Sequence, residues 1–570
     1  MKGILRCRLT PQRLLTLAAA VLLTVTAGKA QDIDGQIDHM QVLEDQANSI
    51  KADLGPDAVN ALSASSFQLV NFGEQAEFLK GVLADKKANN PSAADDFLSR
   101  VAGSTQSETS VAWCGSNAVV AFNDSGSAVI TMVGSSPSPS GSFSFNGWST
   151  SSNAGAQFGD RGVLVSDPLP PGTRFLDLLG DPVVACTDQS TFYYASLANQ
   201  YLPGTPLVVM SAITVSGSID GGQSFGGAVV AAAKGKGHLL DKDWMDAKRD
   251  ASGNTIIHVV YTDFDTSTPP RPVCGSQIRT AIEYVKSTDG GVTWSAPTVI
   301  DTVCGSAPFV QGSHVAVGLG SDVYVAWEAY PDGFTLPTRQ IRLRKSIDAG
   351  ATFGPIVIVR SPVIPVGTGQ RMQGGFRNSI DFQGLAVDRS DGPTSGSVYI
   401  TFQDGSNLSQ RDPLASPGCT GFVPGPAGPR RYCFGDVFAT SSTNGGATWS
   451  VPVRINDDPI TQMADQFMPA VAVDRNGHVY AIYYDRSRDP RNVLIDAVVA
   501  QSMNGGLTWL HDRLTPHNFP AILAQDALVN TTYMGDYIGI AADTTQGVPG
   551  VILAWGDNSL GDPNVAVAKR

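Results

Sequence analysis

An eight-residue pattern, Ser-x-Asp/Asn-x-Gly-x-Thr/Ser/Gln-Trp/Phe, recurs six times along the 570-residue chain. It reads SSNAGAQF from Ser151, SIDGGQSF from Ser218, STDGGVTW from Ser287, SIDAGATF from Ser346, STNGGATW from Ser442 and SMNGGLTW from Ser502. The starts lie 67, 69, 59, 96 and 60 residues apart. Self-similarity at this period restricts the chain to an array of like units packed on one another. The chemistry of each copy is that of a turn. The third residue (Asn153, Asp220, Asp289, Asp348, Asn444, Asn504) accepts backbone N–H bonds from its own loop, glycine supplies a positive φ, and the terminal ring folds inward as an anchor. These six residues are therefore expected to be structural.

A second repeat precedes most copies: a short strand ending in an aromatic and then an acid. It reads VVAFND to Asp124, VVYTD to Asp263, VYVAWE to Glu328, VYITFQD to Asp404, VYAIYYD to Asp485 and VILAWGD to Asp557, with TFYYAS to Ser196 as a copy lacking the acid. Short Val/Tyr/Phe/Ile-rich strands between turns indicate an all-β protein. Composition agrees: 60 glycines and 35 prolines supply turns, and charged residues make up only 16%, too few for a coiled coil or long solvated helices. Strand pairs number seven and turn motifs six, which favours seven units and leaves six open.

These motifs resemble the Asp boxes of the sialidase-like (BNR-repeat) β-propeller superfamily, and the resemblance covers about residues 105–570. It implies a multi-bladed propeller with the boxes on the bottom face and the strand-ending acids around the top. A carboxylate ring there admits a structural Ca²⁺ or a bound sugar; no other cofactor and no catalytic metal is expected. The implied function is a secreted propeller acting on or recognising glycans, as an exo-glycosidase of terminal, sialic-acid-type sugars. The alternative is a non-catalytic propeller that binds glycan or protein. Sialidases of this family use three arginines on the substrate carboxylate, an Asp acid/base and a Tyr nucleophile activated by Glu. Carried onto this chain, those roles fall to Arg279, Arg377 and Arg486, to Asp465, and to Tyr537 with Glu283, while Trp244 and Tyr484 offer stacking surfaces. The family's Phe/Tyr-Arg-Ile-Pro motif is missing ahead of the first box; its nearest echo is Phe376-Arg377-Asn378-Ser379. Further polar candidates in the top loops are Lys242, Gln311, His314, Arg371, Gln466, Tyr533 and Asp536.

Residues 1–30 carry Lys2, Arg6, Arg8 and Arg13, then the apolar run Leu14–Ala27, then small residues, the pattern of a secretory signal peptide. A secreted or periplasmic location is expected. Without that segment the balance is 34 basic to 52 acidic residues, a net charge of −18, which disfavours nucleic acid and anionic membranes as partners. Six cysteines remain, an even number that suits disulfides in an exported protein. Proximity favours Cys274–Cys304 and Cys419–Cys433, leaving Cys114–Cys186. Residues 31–104 read as a helical segment: Ile33, Ile37, Met40, Leu43, Ala47, Ile50 and Leu54 form one stripe, halted at Gly55-Pro56, with a second helical stretch over about 57–83. Residues 405–435, rich in Gly, Pro and Ser, read as a loop inserted in the propeller. The oligomeric state is not legible.

Overall fold

In the computed structural model, seven antiparallel sheets surround a common axis as blades, each of four strands apart from the sixth, where Phe519–Pro520 adds a short fifth strand. The structure describes residues 5–6, 33–71, 105–133, 142–204, 207–332, 339–364, 366, 372–375, 377, 382–405, 421–423, 430–521, 526, 528–529, 534–545, 547–561 and 563–570. The inner strands of blades 1 to 7 are Gln106–Cys114, Phe175–Cys186, His238–Arg249, Phe309–Val317, Gly384–Val387, Gln466–Val473 and Gly539–Ala542. Blades 1 to 6 each continue outward through three further strands in chain order. Blade 7 takes its outer strand from the other end of the chain: Leu5 pairs with Val567 and Arg6 with Ala566. The array is therefore a seven-bladed β-propeller, which decides the count that the motifs left open.

The repeats explain the blades. Each copy of the eight-residue turn joins the third strand to the fourth, and all six close alike. In SIDAGATF, Ser346 Oγ bonds Asp348 Oδ1 at 2.6 Å and accepts Gly350 N at 2.9 Å, while Asp348 Oδ1 accepts Thr352 N at 2.8 Å. Where the last residue is Trp, its indole donates to the box glycine carbonyl, as Trp294 does to Gly291 at 3.2 Å. The aromatic of the second repeat is the core. Phe122, Tyr261, Trp327, Phe402, Tyr483 and Trp555 are all buried between sheets, each contributing about 1.5–3 kcal/mol by leaving water. The inner strands carry small apolar residues such as Val111, Ala112, Val184, Ala316, Ala472 and Ala541, because seven of them crowd the axis. A cavity of ≈ 170 Å³ runs between them.

The acids that end the second strands lie on the face opposite the boxes, here the top, but they do not form a metal-binding ring. Each is tied into its own surroundings. Asp124 accepts Gly126 N and Ser127 Oγ at the start of the helix Ser125–Val133, Asp485 accepts Ser487 N, and Asp557 accepts Ser559 N. Glu328 accepts Tyr330 Oη at 2.6 Å, and Asp404 accepts Ile364 N.

Cys114–Cys186 and Cys274–Cys304 are bonded. Cys433 is also disulfide-bonded, and Cys419 lies outside the described residues. So does most of the 405–435 insertion, apart from a short hairpin pairing Gly421–Val423 with Arg430–Tyr432. The signal-peptide expectation falls outside the described residues except for Leu5–Arg6. No described helix is long and apolar enough to cross a membrane.

Two N-terminal helices, α1 (Ile33–Asn60) and α2 (Ala64–Val70), lie on the propeller. The expected stripe is the buried face of α1, with Met40, Leu43, Ala47, Ile50 and Leu54 all covered. Gly55, at φ 75° and ψ 170°, leaves the helical conformation, so the first helix halts there as expected and a second short stretch of α1 runs on to Asn60. The second helical stretch breaks at residues 61–63 before α2, and its portion beyond residue 71 is outside the described residues.

Candidate functional site

At the top of the channel the inner strands of blades 1, 2, 3, 4 and 6 share one irregularity. Their register slips at Ser107/Ser110, Gly180/Val183, Asp241/Trp244, Gln311/His314 and Phe467/Ala470. At each slip the backbone takes a positive φ: Glu108 (51°), Gly180 (105°) with Asp181 (51°), Lys242 (48°), Gly312 (69°) and Met468 (52°). Non-glycine residues rarely hold that conformation, and such bulges re-aim side chains. Here the result is a buried cluster of Glu108, Asp181, Asp241, Lys242 and Asp243, joined from blade 7 by Asp536.

The electrostatics of this cluster are severe. Burial is the leading cause in every case. It holds Glu108 and Asp243 well above the usual carboxylate range, and pushes Asp241 up to about 6 and Asp536 up to about 7. The charge of Asp181 acts on all four acids and on Lys242, which puts Asp181 at the hub. Among the described residues no N–H or hydroxyl donor reaches either oxygen of Asp181 or Asp243. Glu108 stands against Asp181, whose charge helps to keep Glu108 protonated. Lys242 Nζ has no hydrogen-bond acceptor. It rests on the rings of Tyr537 at 3.7 Å, Trp244 at 4.5 Å and Phe382 at 5.2 Å, and burial pulls its ammonium below the ordinary lysine value. Trp244 stacks on His314 at 3.8 Å and meets Tyr537 edge-on at 5.9 Å. Trp244, His314, Phe382, Asp536 and Tyr537 also line the cavity below.

The chain's own residues 60–66 cap this cluster. Ser63 donates its N–H to Asp241 Oδ2 at 2.8 Å and its hydroxyl to Oδ1 at 2.5 Å. Ala64 N donates to Asp536 at 2.5 Å, and Ser65 Oγ donates to Glu108 at 2.9 Å. In return, Gln311 Nε2 donates to the Ala61 carbonyl at 3.2 Å, and Arg377 Nη2 to those of Leu62 at 2.5 Å and Asn60 at 3.4 Å. His39 on α1 bonds Asp177 at 2.8 Å and stacks on Phe175 at 4.5 Å.

Of the residues singled out in the sequence, the structure gathers Lys242, Trp244, Gln311, His314, Arg377, Asp536 and Tyr537 at this centre. Arg371 and Tyr533 lie outside the described residues. The three arginines do not converge. Arg279 binds Asp263 at 2.9 Å and Glu283 at 3.0 Å within blade 3, Arg377 holds the N-terminal segment, and Arg486 faces Asp465 at 3.6 Å. The Tyr537/Glu283 pairing is also corrected. Glu283 is committed to Lys234, Arg279 and the hydroxyl of its cross-strand neighbour Tyr261 at 3.1 Å, while Tyr537 donates to the Pro182 carbonyl at 3.4 Å. Asp465 accepts from Tyr432, Asn492 and Gly435, so it braces the base of the insertion. Tyr484 is core, donating to the Gly556 carbonyl. Gln466 bridges Asn456 and Asp485. Glu108, Asp181, Asp241 and Asp243 were not singled out. Their signal is faint in one sequence: acids inside otherwise apolar strands, as in Gly180-Asp181-Pro182 and Asp241-Lys242-Asp243.

Among the described residues, one group has the ligand atoms for a metal ion: His238, Asp263 and Asp265 in blade 3. Asp263 is already engaged by Lys234 at 2.7 Å, Arg279 at 2.9 Å and His238 at 2.9 Å, so a cation there would compete with three donors.

No family model and no curated protein sequence matches this chain. Solved structures do resemble it. A polysaccharide lyase described as an ulvan lyase shares 10% identity over 82% of this chain and 93% of its own, with a TM-score of 0.42. A Hadza microbial sialidase shares 12% over 70% of this chain and 66% of its own, at 0.36. A protein of unknown function from Dyadobacter fermentans shares 13% over 68% and 93%, at 0.38. Likenesses at this level concern the fold. By its own seven blades, the chain is a seven-bladed β-propeller.

Proposed function

We propose that the protein is an exported glycan-acting propeller that works at the top centre of the channel. The observation that carries this reading is the buried cluster of carboxyls, several held protonated by burial, set beside the Trp244/Tyr537 aromatic wall. Carboxyls held protonated near neutral pH are what glycosidic chemistry requires of its acid, and rings stack on sugar faces. A specifically sialic-acid-directed site is not supported, because Arg279, Arg377 and Arg486 serve three separate networks.

The cluster is closed by residues 60–66, so the open state must be populated before a sugar can bind, and apparent affinity falls by the open fraction. The test is a panel of fluorogenic glycosides and immobilised glycans offered to the full chain and to Ser63→Ala/Ser65→Ala, which loosens the cap by removing its hydroxyl donors to Asp241 and Glu108. Turnover that rises in the double variant and disappears in Asp181→Asn supports a hydrolase. Binding without turnover supports the non-catalytic alternative, which the closed cap favours. If folded protein gives neither, the glycan reading is lost. Export is tested separately by the mass of the mature N-terminus, expected near Gln31.

A further inference from the structure

We infer that the top-centre site takes a non-anionic, donor-rich sugar, neutral or amino, and rejects acidic sugars; this rests on the glycan reading above. The cap shows what the site recognises. Residues 63–65 present only donors to Asp241, Asp536 and Glu108, while the carbonyls of residues 60–62 accept from Gln311 and Arg377. A pyranose offers the same two sets: hydroxyl donors for carboxylates and oxygen acceptors for an amide and a guanidinium.

The unpartnered groups point the same way. Among the described residues no donor reaches either oxygen of Asp243, and Asp181 has only the Glu108 carboxyl beside it; both residues are 0% exposed. Leaving such groups unmatched in a dry interior is costly. Hydroxyl or ammonium donors of a ligand would satisfy them; a ligand carboxylate would not. Among the described residues, the cations that act on Glu108, Asp243 and Asp536 include Lys242 and Arg377. Above about pH 7, where Asp241 and Asp536 ionise, a sugar carboxylate would add like charge where screening is weak, a penalty expected to weaken binding at least about 100-fold.

The experiment compares three probe arms by calorimetry on the full chain and on Ser63→Ala/Ser65→Ala: cello-oligosaccharide (neutral), chitosan oligosaccharide (amino), and sialyllactose with oligogalacturonate (acidic). Protease clipping within residues 33–71 reports displacement of the cap. The expected result is binding in the neutral or amino arm, about tenfold tighter in the double variant and accompanied by faster clipping, with acidic probes at least about 100-fold weaker. Asp181→Asn is expected to narrow that gap. Acidic probes binding as tightly as the others would overturn the inference and leave the glycan reading standing. Silence in all arms from folded protein would overturn both.

Discussion

Asp536 and Asp241 carry the clearest pH signature in the molecule. Burial raises them to about 7 and about 6, against an unfolded value near 3.9. A carboxyl with a raised folded pKa contributes stability that is complete below its unfolded pKa and is lost as pH climbs through its folded pKa. The window is therefore roughly pH 4 to 7. The groups facing this pair are Glu108, Asp181, Asp243, Lys242 and Arg377, and ionising the two acids leaves the cluster more negative beneath the cap. Clipping within residues 33–71 should be slow at pH 5 and faster at pH 8, since cleavage follows the population of the opened form. Asp536→Asn should flatten the dependence. Clipping that does not change with pH would remove these acids from the account of the cap.

Two elements recur, the box turn and the inner-strand bulge, and they differ in how visible they are. The box is legible because its hydrogen bonds are local: Ser, Asp and Gly sit within five residues of one another, and Ser346 serves two of those bonds. Ser346→Ala should lower stability by about 1 kcal/mol, read as a shifted denaturant midpoint; a shift as large as for a core truncation would mean the turn also supports the blade. The bulge is invisible in sequence because it depends on pairing with a second strand. Its effect is concentrated at Gly180 (φ 105°), where an added Cβ would stand 2.5 Å from Asn123 Oδ1 and 2.8 Å from Ser65 Oγ. Gly180→Ala should unseat the cap and speed clipping within residues 33–71 with little change at the outer strands. Unchanged clipping would show that Ser65 is not held there. The helix Ser125–Val133 was missed for a related reason: its apolar run, SGSAVITMV, has no periodicity separating helix from strand.

Closure of the ring is the problem at the largest scale, since an array of blades has two ends. The chain joins them at blades 7, 1 and 2. Thr544 N bonds the Trp113 carbonyl at 2.9 Å, Gly115 N bonds Asp543 at 2.9 Å, and Cys114–Cys186 links neighbouring inner strands across 72 residues. Replacing both of these cysteines by serine should cost about 2–4 kcal/mol and lower the melting temperature; an unchanged melt would mean that packing alone holds blades 1 and 2 together. Leu5–Arg6 edges blade 7 within the segment read as a signal peptide. Its cleavage would leave that blade three strands and the exposed edge of Asn564–Lys569.

From the sequence alone came the all-β array, the turns and the buried stripe of α1. All of these depend on residues a few positions apart, where spacing is geometry. The site did not come that way. Arg279, Glu283, Asp465 and Arg486 have the right side chains, yet the fold spends them on blade-local ion pairs and braces. Glu108, Asp181 and Asp243 became central only because several strands, distant in the chain, bulge toward one axis. Burial, the leading cause of their shifted acidity, is a property of the assembled ring and of the N-terminal segment laid across it, and no single stretch of sequence contains it.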